Sequence, residues 1–153
     1  MTDIRFINND RKPTLQHKLL LKEFIKALFK KEKSPLNNLT YIFCSDDYLL
    51  GINKKFLKHN FYTDVITFNL SELQNPIEGE VYISIDRVKE NARGLNSSFK
   101  NEFHRVIFHA ALHLCGYKDK QKHEILNMRA KEDEYLNKYF TIKSFSRGTN
   151  LIE

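Results

Sequence analysis

Cysteine is scarce in this sequence: Cys44 and Cys115 are the two in 153 residues, they lie far apart, and they form no CxxC or CxxxC pair. That excludes a disulfide framework and a thiolate zinc site, and it predicts reduced thiols in a cytoplasmic protein. Long apolar runs are missing as well. No stretch approaches the roughly 18 uncharged apolar residues of a membrane span. Residues 1–12 alternate polar and apolar positions without the apolar stretch of an export signal, so neither export nor membrane insertion is expected. Five glycines and three prolines are too few for a collagen-like chain, and no repeat, low-complexity tract or linker divides the sequence. What is present is 41% hydrophobic and 29% charged, enough apolar content for the core of one domain. The 25 Lys and Arg against 19 Asp and Glu leave a formal net charge of +6, which favours anionic partners, nucleic acid first.

Residues 3–8 (DIRFIN) alternate with period two and predict a short strand, followed by turn-forming Asn9, Asp10 and Pro13. Residues 14–33 predict a helix whose apolar face is Leu15, Leu19, Phe24, Ile25, Leu28 and Phe29, stopped by Ser34-Pro35. Its lysines, Lys26, Lys30, Lys31 and Lys33, read as a solvated face rather than an RNA contact. A buried strand is expected at 39–44, then a helix capped by Ser45 or Asp46 and running through Leu57. The strongest strand signals are 63–70 and 79–85, with Asn75-Pro76 turning between them. A short helix at 85–95, a long apolar one at 99–115 stopped by Gly116, and a charged one at 121–139 follow. From Lys143 onward too few apolar residues remain to pack, so 143–153 is expected to be a flexible tail on a domain of 1–142. This is an α+β reading with about four strands and about five helices, the long early helix and two late ones covering one face of the sheet.

The chemistry concentrates in His109-Ala110-Ala111-Leu112-His113-Leu114-Cys115-Gly116-Tyr117-Lys118-Asp119. Histidines at i and i+4 share one helical face, where both imidazoles reach a single metal ion. Gly116 permits the left-handed backbone that ends a helix and swings Asp119 to a third ligand position, giving HxxxHxxGxxD. An i, i+4 histidine pair alone is more often packing than ligation; the glycine and the carboxylate at ligand spacing reverse that preference. His123 is a rival third ligand, with a poorer reach. Three protein ligands leave a place for water, whose pKa a zinc ion lowers to about 7. Mixed nitrogen and oxygen ligation suits zinc and does not exclude another divalent ion.

Zinc proteases of the HExxH type place a glutamate where this chain has Ala110, so their general base is missing. Asp64 and Glu80, at the starts of the two strongest strands, are the carboxylates to consider for proton transfer, or else they cap turns. Arg105, four residues before His109, is placed to bind a phosphate near the metal or to snorkel to solvent. His17, His59 and His104 have no partners at ligand spacing and read as surface or satisfied core residues. Phe24, Phe29, Phe99 and Phe103 read as core rather than as base-stacking platforms.

The segment HAALHLCGYKD resembles the H-G-x-L-H-L-x-G-Y-D-H signature of the YbeY family of bacterial metallo-endoribonucleases. INKKFLKHNFYTDVITF is similar to the family's Asn-containing helix and T-D-V-L-S-F strand, and GEVYIS to its G-D-I-x-I-S strand, in the family's order. The resemblance implies a small mixed sheet in an α+β fold, one zinc ion on the signature histidines, and cleavage of single-stranded RNA. It further implies a role in 3′-end maturation of 16S ribosomal RNA and in 70S ribosome quality control. The ribosome's small subunit, with a ribosomal or accessory protein, would then be the partner. His109 and His113 match the first two ligands, whereas the third family histidine falls on Asp119 and the preceding aspartate on Lys118. Exchanging a neutral nitrogen for an anionic oxygen leaves the identity of the metal open. Leu57 stands where many members carry an arginine proposed to act on the substrate, which moves phosphate binding to Lys55, Lys58 or Arg105. Asp64, Thr67, Glu80 and Ser84 match positions near the family's cleft. Two other readings compete: a metallopeptidase-like hydrolase, which Ala110 argues against, and a non-catalytic ribosome- or RNA-binding module with a structural metal.

Overall fold

The computed structural model describes residues 2–149, with side chains through residue 144. In chain order the elements are β1 (Asp3–Asn8), α1 (Lys18–Lys31), β2 (Leu36–Cys44), α2 (Asp46–Ile52), β3 (Val65–Asn69), β4 (Ile77–Ser84), α3 (Ile85–Gly94), α4 (Phe99–Leu114) and α5 (Lys122–Thr149). A π-helical turn, Asn53–Leu57, extends α2 and ends at Lys58 in a left-handed conformation (φ 55°). Serines start three helices in the same way. Ser45, Ser84 and Ser98 accept hydrogen bonds from the main-chain N–H groups of Tyr48, Arg87 and Asn101, satisfying donors that the first turn leaves unpaired.

The four strands form one mixed sheet in the order β1-β2-β4-β3. β1 and β2 are parallel, as are β2 and β4, while β3 and β4 form an antiparallel hairpin. Strand alternation sorts the side chains. Ile4, Leu39, Tyr41, Phe43, Val81 and Ile83 face the main core with α1, α3, α4 and α5, and Cys44 and Ile66 face a smaller core under α2. The Tyr41 hydroxyl donates to the Ile107 carbonyl at 2.9 Å and ties β2 to α4. Gly79 brings β4 close to α4: a Cβ built there would stand 2.8 Å from both Leu114 Cδ1 and Leu39 Cδ1.

Three details depart from the expected pattern. α1 begins at Lys18 rather than at residue 14, because His17 takes a left-handed conformation (φ 55°) that interrupts the helix. Leu15 is nonetheless buried from the preceding loop, Leu19 is 79% exposed, and Leu21 takes its place in the core. At the other end, α5 continues past Tyr139 through Thr149 and buries Lys143, so the stretch read as a tail from residue 143 is helical as far as 149. The rest of that expected tail, 150–153, lies outside the described residues. α5 also packs on α4 and α1 rather than against the sheet, so the layer on the strands is made chiefly by α4.

Candidate metal centre

α4 is enclosed on nearly every side: Phe103, Val106, Ile107, Phe108, Ala110, Ala111 and Leu112 are at most 3% exposed. Arg105, His109 and His113, at successive helical turns, make the stripe left partly open. Arg105 and His109 line a cleft of about 220 Å³ with Glu102 and Val106 from α4, Asp64 from the start of the β3 hairpin, Asp119 from the loop, and Arg129 and Glu132 from α5.

The turn after α4 brings Asp119 back to the helix. Tyr117 N–H donates to the Leu112 carbonyl and Gly116 N–H to the His113 carbonyl, both at 3.0 Å, with Gly116 at φ +104°. This paired closure requires a positive φ at Gly116, which glycine adopts without strain. The same turn presents the Tyr117 carbonyl to His113 Nδ1 at 2.9 Å. Asp119 Oδ2 then lies 3.1 Å from His113 Nε2 and 3.3 Å from His109 Nε2, and one ligand atom from each of the three residues falls within 4.8 Å of the others.

The donor set fits a divalent cation. A carbonyl only accepts, so the Tyr117 contact places a proton on His113 Nδ1 and leaves Nε2, 3.1 Å from Asp119 Oδ2, as the nitrogen that would offer its lone pair to a cation. Two imidazole nitrogens and one carboxylate oxygen leave room for exogenous ligands, the composition of an open rather than a closed metal site. His123, the rival third ligand, is exposed in the first turn of α5 and lies outside this cluster.

Electrostatics in the cleft follow from carboxylates crowded into a partly dry space. Burial pushes the Asp64 carboxyl up, against the attraction of His109, and burial likewise raises Glu102. For His109, burial disfavours the imidazolium, but the hydrogen bond and charge of Glu132, with Asp64 and Asp119 beyond, outweigh it and the net shift is upward. Glu132 is displaced downward: burial opposes its charge, and His109 and Arg105 more than compensate.

Of the residues singled out in the sequence, His109, His113, Asp119, Asp64 and Arg105 come together here. Asp64 is held by its main-chain carbonyl, which accepts from Ser84 N–H at 2.9 Å where the β3–β4 ladder begins. Arg105 spends its donors within the protein, on Glu132 and Asp133, each at 2.8 Å. Thr67, opposite Val81, points to the α4 side of β3. Glu80 does not join the cleft: alternation along β4 puts it on the α2 side, where the Tyr82 hydroxyl donates to it at 2.5 Å. The Ser84 hydroxyl is used at the α3 cap and on Asp46. Lys55 and Lys58 are exposed on and after the π turn, with Lys55 Nζ 5.3 Å from the Phe56 ring centre. The sequence reading missed Glu102, Arg129 and Glu132. Glu132 had a signal, being a carboxylate at a seam position of α5, in register with the buried Met128, Tyr135, Leu136 and Tyr139.

Fold and cleft together define a class: α+β proteins in which two histidines of a late helix and a carboxylate of the following loop form a group able to hold a metal ion. The family model described as Endoribonuclease YbeY matches residues 4–140, and the chain belongs to that family. It is 48% identical over 134 residues to the Endoribonuclease YbeY of Cytophaga hutchinsonii, covering 88% of this chain and 94% of the relative. It is 45% identical over 122 residues to that of Karelsulcia muelleri, covering 80% and 86%. A solution structure from Thermotoga maritima superposes with a TM-score of 0.61 at 28% identity, over 94% of this chain and 93% of that one.

Proposed function

We propose that this chain is a zinc-dependent endoribonuclease that cleaves single-stranded RNA and acts on the 3′ end of 16S ribosomal RNA, with a further part in 70S ribosome quality control. The observation that carries the reading is the convergence of His109 Nε2, His113 Nε2 and Asp119 Oδ2 beside Asp64, in a chain of the endoribonuclease family. His109, His113 and Asp119 would hold the cation, which when bound supplies Lewis acidity toward a phosphoryl oxygen and acidifies water. Asp64 is the carboxylate assigned to take up a proton during attack on the phosphodiester. In the cleft itself Asp64, Glu102, Asp119 and Glu132 outnumber Arg105 and Arg129, so its own side chains do not attract RNA phosphates. That task falls to exposed Lys55 and Lys58, a few residues before Asp64, and to the +6 charge of the whole chain. Ribosomal RNA as substrate makes the small subunit, with a ribosomal or accessory protein, the partner and the cytoplasm the location. Among the described residues no helix is long and apolar enough to cross a membrane.

The test is cleavage of a 3′-extended RNA that carries both a duplex and a single-stranded tail. Wild-type protein and His113→Ala, purified in parallel, are compared with and without chelator and with zinc restored. Cuts confined to the tail, lost in the variant and on chelation and regained with zinc, are expected. Equal cutting by the variant, or none by wild type supplied with zinc and small subunits, overturns the proposal.

A further inference from the structure

Glu132 sits where a packed helix seam ordinarily carries an apolar side chain: it is 5% exposed, on the same face of α5 as Met128, Tyr135, Leu136 and Tyr139. Burying a carboxylate there is costly unless both oxygens are paired. Both are. Oε2 lies 2.5 Å from His109 Nδ1, and Oε1 accepts from Arg105 Nη1 at 2.8 Å. Arg105 is itself clamped, with Nη2 on Asp133 at 2.8 Å and Nε 3.9 Å from Glu102, and its side chain is 16% exposed. Nε, Nη1 and Nη2 thus all face carboxylates of α4 and α5.

We infer that Glu132 is the positioning residue of the metal centre, holding His109 with its proton on Nδ1 and its Nε2 lone pair toward Asp119, and that Arg105 serves as the brace of Glu132 rather than as a phosphate contact. This rests on the metal-binding reading above. The two histidines are thereby oriented by different devices, His113 by the Tyr117 carbonyl of its own turn and His109 by a charge from the neighbouring helix. An imidazole held by a carboxylate keeps one tautomer and one ring orientation, and loss of such a partner commonly weakens metal binding about 10- to 100-fold. The α4–α5 packing therefore reaches the metal centre through the Glu132–His109 hydrogen bond, braced by the ion pairs of Arg105 with Glu132 and Asp133.

The test uses the full chain and two readouts, neither of which is activity. Zinc affinity is measured by competition with a chromogenic chelator for wild type, Glu132→Ala and Glu132→Gln, with circular dichroism and thermal melts to confirm folding. Imidazole ¹⁵N shifts of the metal-free proteins, at a pH where the rings are neutral, report the tautomers. We expect a 10- to 100-fold loss of affinity in Glu132→Ala. Glu132→Gln, which keeps an acceptor for Nδ1–H without the charge, is expected to lose less. His109 should carry its proton on Nδ1 in wild type and shift toward Nε2–H in Glu132→Ala, while His113 stays unchanged. Affinities within twofold of wild type together with an unaltered His109 tautomer in Glu132→Ala overturn the inference, and if Glu132→Ala does not fold, the same result in Glu132→Leu, which fills the seam and likewise removes the acceptor, does so. Failure of wild type to bind zinc overturns the function proposed above instead, and the tautomer measurement still decides whether Glu132 holds His109.

Discussion

His104 lies one turn before Phe108 on α4, buried among Phe103, Phe108, Tyr139 and Phe140, with Nδ1 donating to the Lys100 carbonyl at 2.8 Å. Burial, with Lys100 and Lys143 nearby, pulls its pKa down from 6.5 to about 4. A depressed histidine pKa means that the unfolded chain binds the proton more readily, so stability is complete above pH 6.5 and declines as pH falls toward 4. The 4% exposure of the ring makes solvent screening small, and the loss between pH 7 and pH 4 should be about 3 kcal/mol. Urea unfolding of wild type and His104→Phe at pH 7, 5.5 and 4 checks this: the variant should gain on wild type as pH drops, and a pH-independent difference contradicts it. Such residues also mark how far the sequence could be read. His109, His113 and Asp119 were legible because helical spacing and a glycine stop fix their mutual reach within eleven consecutive residues. Glu132 was not, because its contact with His109 depends on how α5 lies across α4, which spacing along one helix does not encode.

At the scale of elements, the turn at the end of α4 couples helix termination to ligand placement. Gly116 holds φ +104°, and a Cβ there would meet no atom within 4 Å, so Gly116→Ala tests backbone strain without a steric clash. The substitution should cost about 1–3 kcal/mol. It should also weaken zinc binding, because the strained turn relaxes by moving Asp119; unchanged stability and affinity in the alanine variant would show that the turn is not what places the ligand. Element boundaries were legible where a local signal acts, as at the three serine caps and at Gly116. They were misjudged where tertiary packing decides. Leu15 and Leu19 kept helical spacing with Phe24 and Ile25, yet the chain turns at His17, so Leu15 is buried from the loop and Leu21 is buried in place of Leu19. The stretch from Lys143, expected to be a tail because it has few apolar residues, continues α5 as helix to Thr149, with Lys143 itself buried. Glu80 shows the limit of the period-two pattern: alternation marks which residues share a face of a strand without saying which face meets the helix that carries the site.

At the scale of the molecule, a chain of net charge +6 surrounds a cleft in which carboxylates outnumber guanidinium groups. Under the proposed function the basic surface and the acidic cleft have separate jobs, attraction of a polyanion and retention of a cation. Affinity for unpaired RNA should therefore fall about tenfold or more between 50 and 200 mM salt, as counterion release by a few phosphate contacts requires. The double variant Lys55→Ala/Lys58→Ala should lower that affinity and flatten the salt dependence while leaving zinc affinity unchanged; fluorescence anisotropy with a short single-stranded RNA reads both. An unaltered salt slope would move the RNA path away from the π turn.

The central claim is that His109, His113 and Asp119 hold one divalent ion. Inductively coupled plasma mass spectrometry of wild type, His113→Ala and Asp119→Ala, purified in parallel and then exposed to zinc and desalted, tests it most directly. The account predicts about one zinc per wild-type chain and a clear loss in both variants, with folding preserved by circular dichroism. A wild-type chain that retains no metal, or variants that retain as much as wild type, would contradict it.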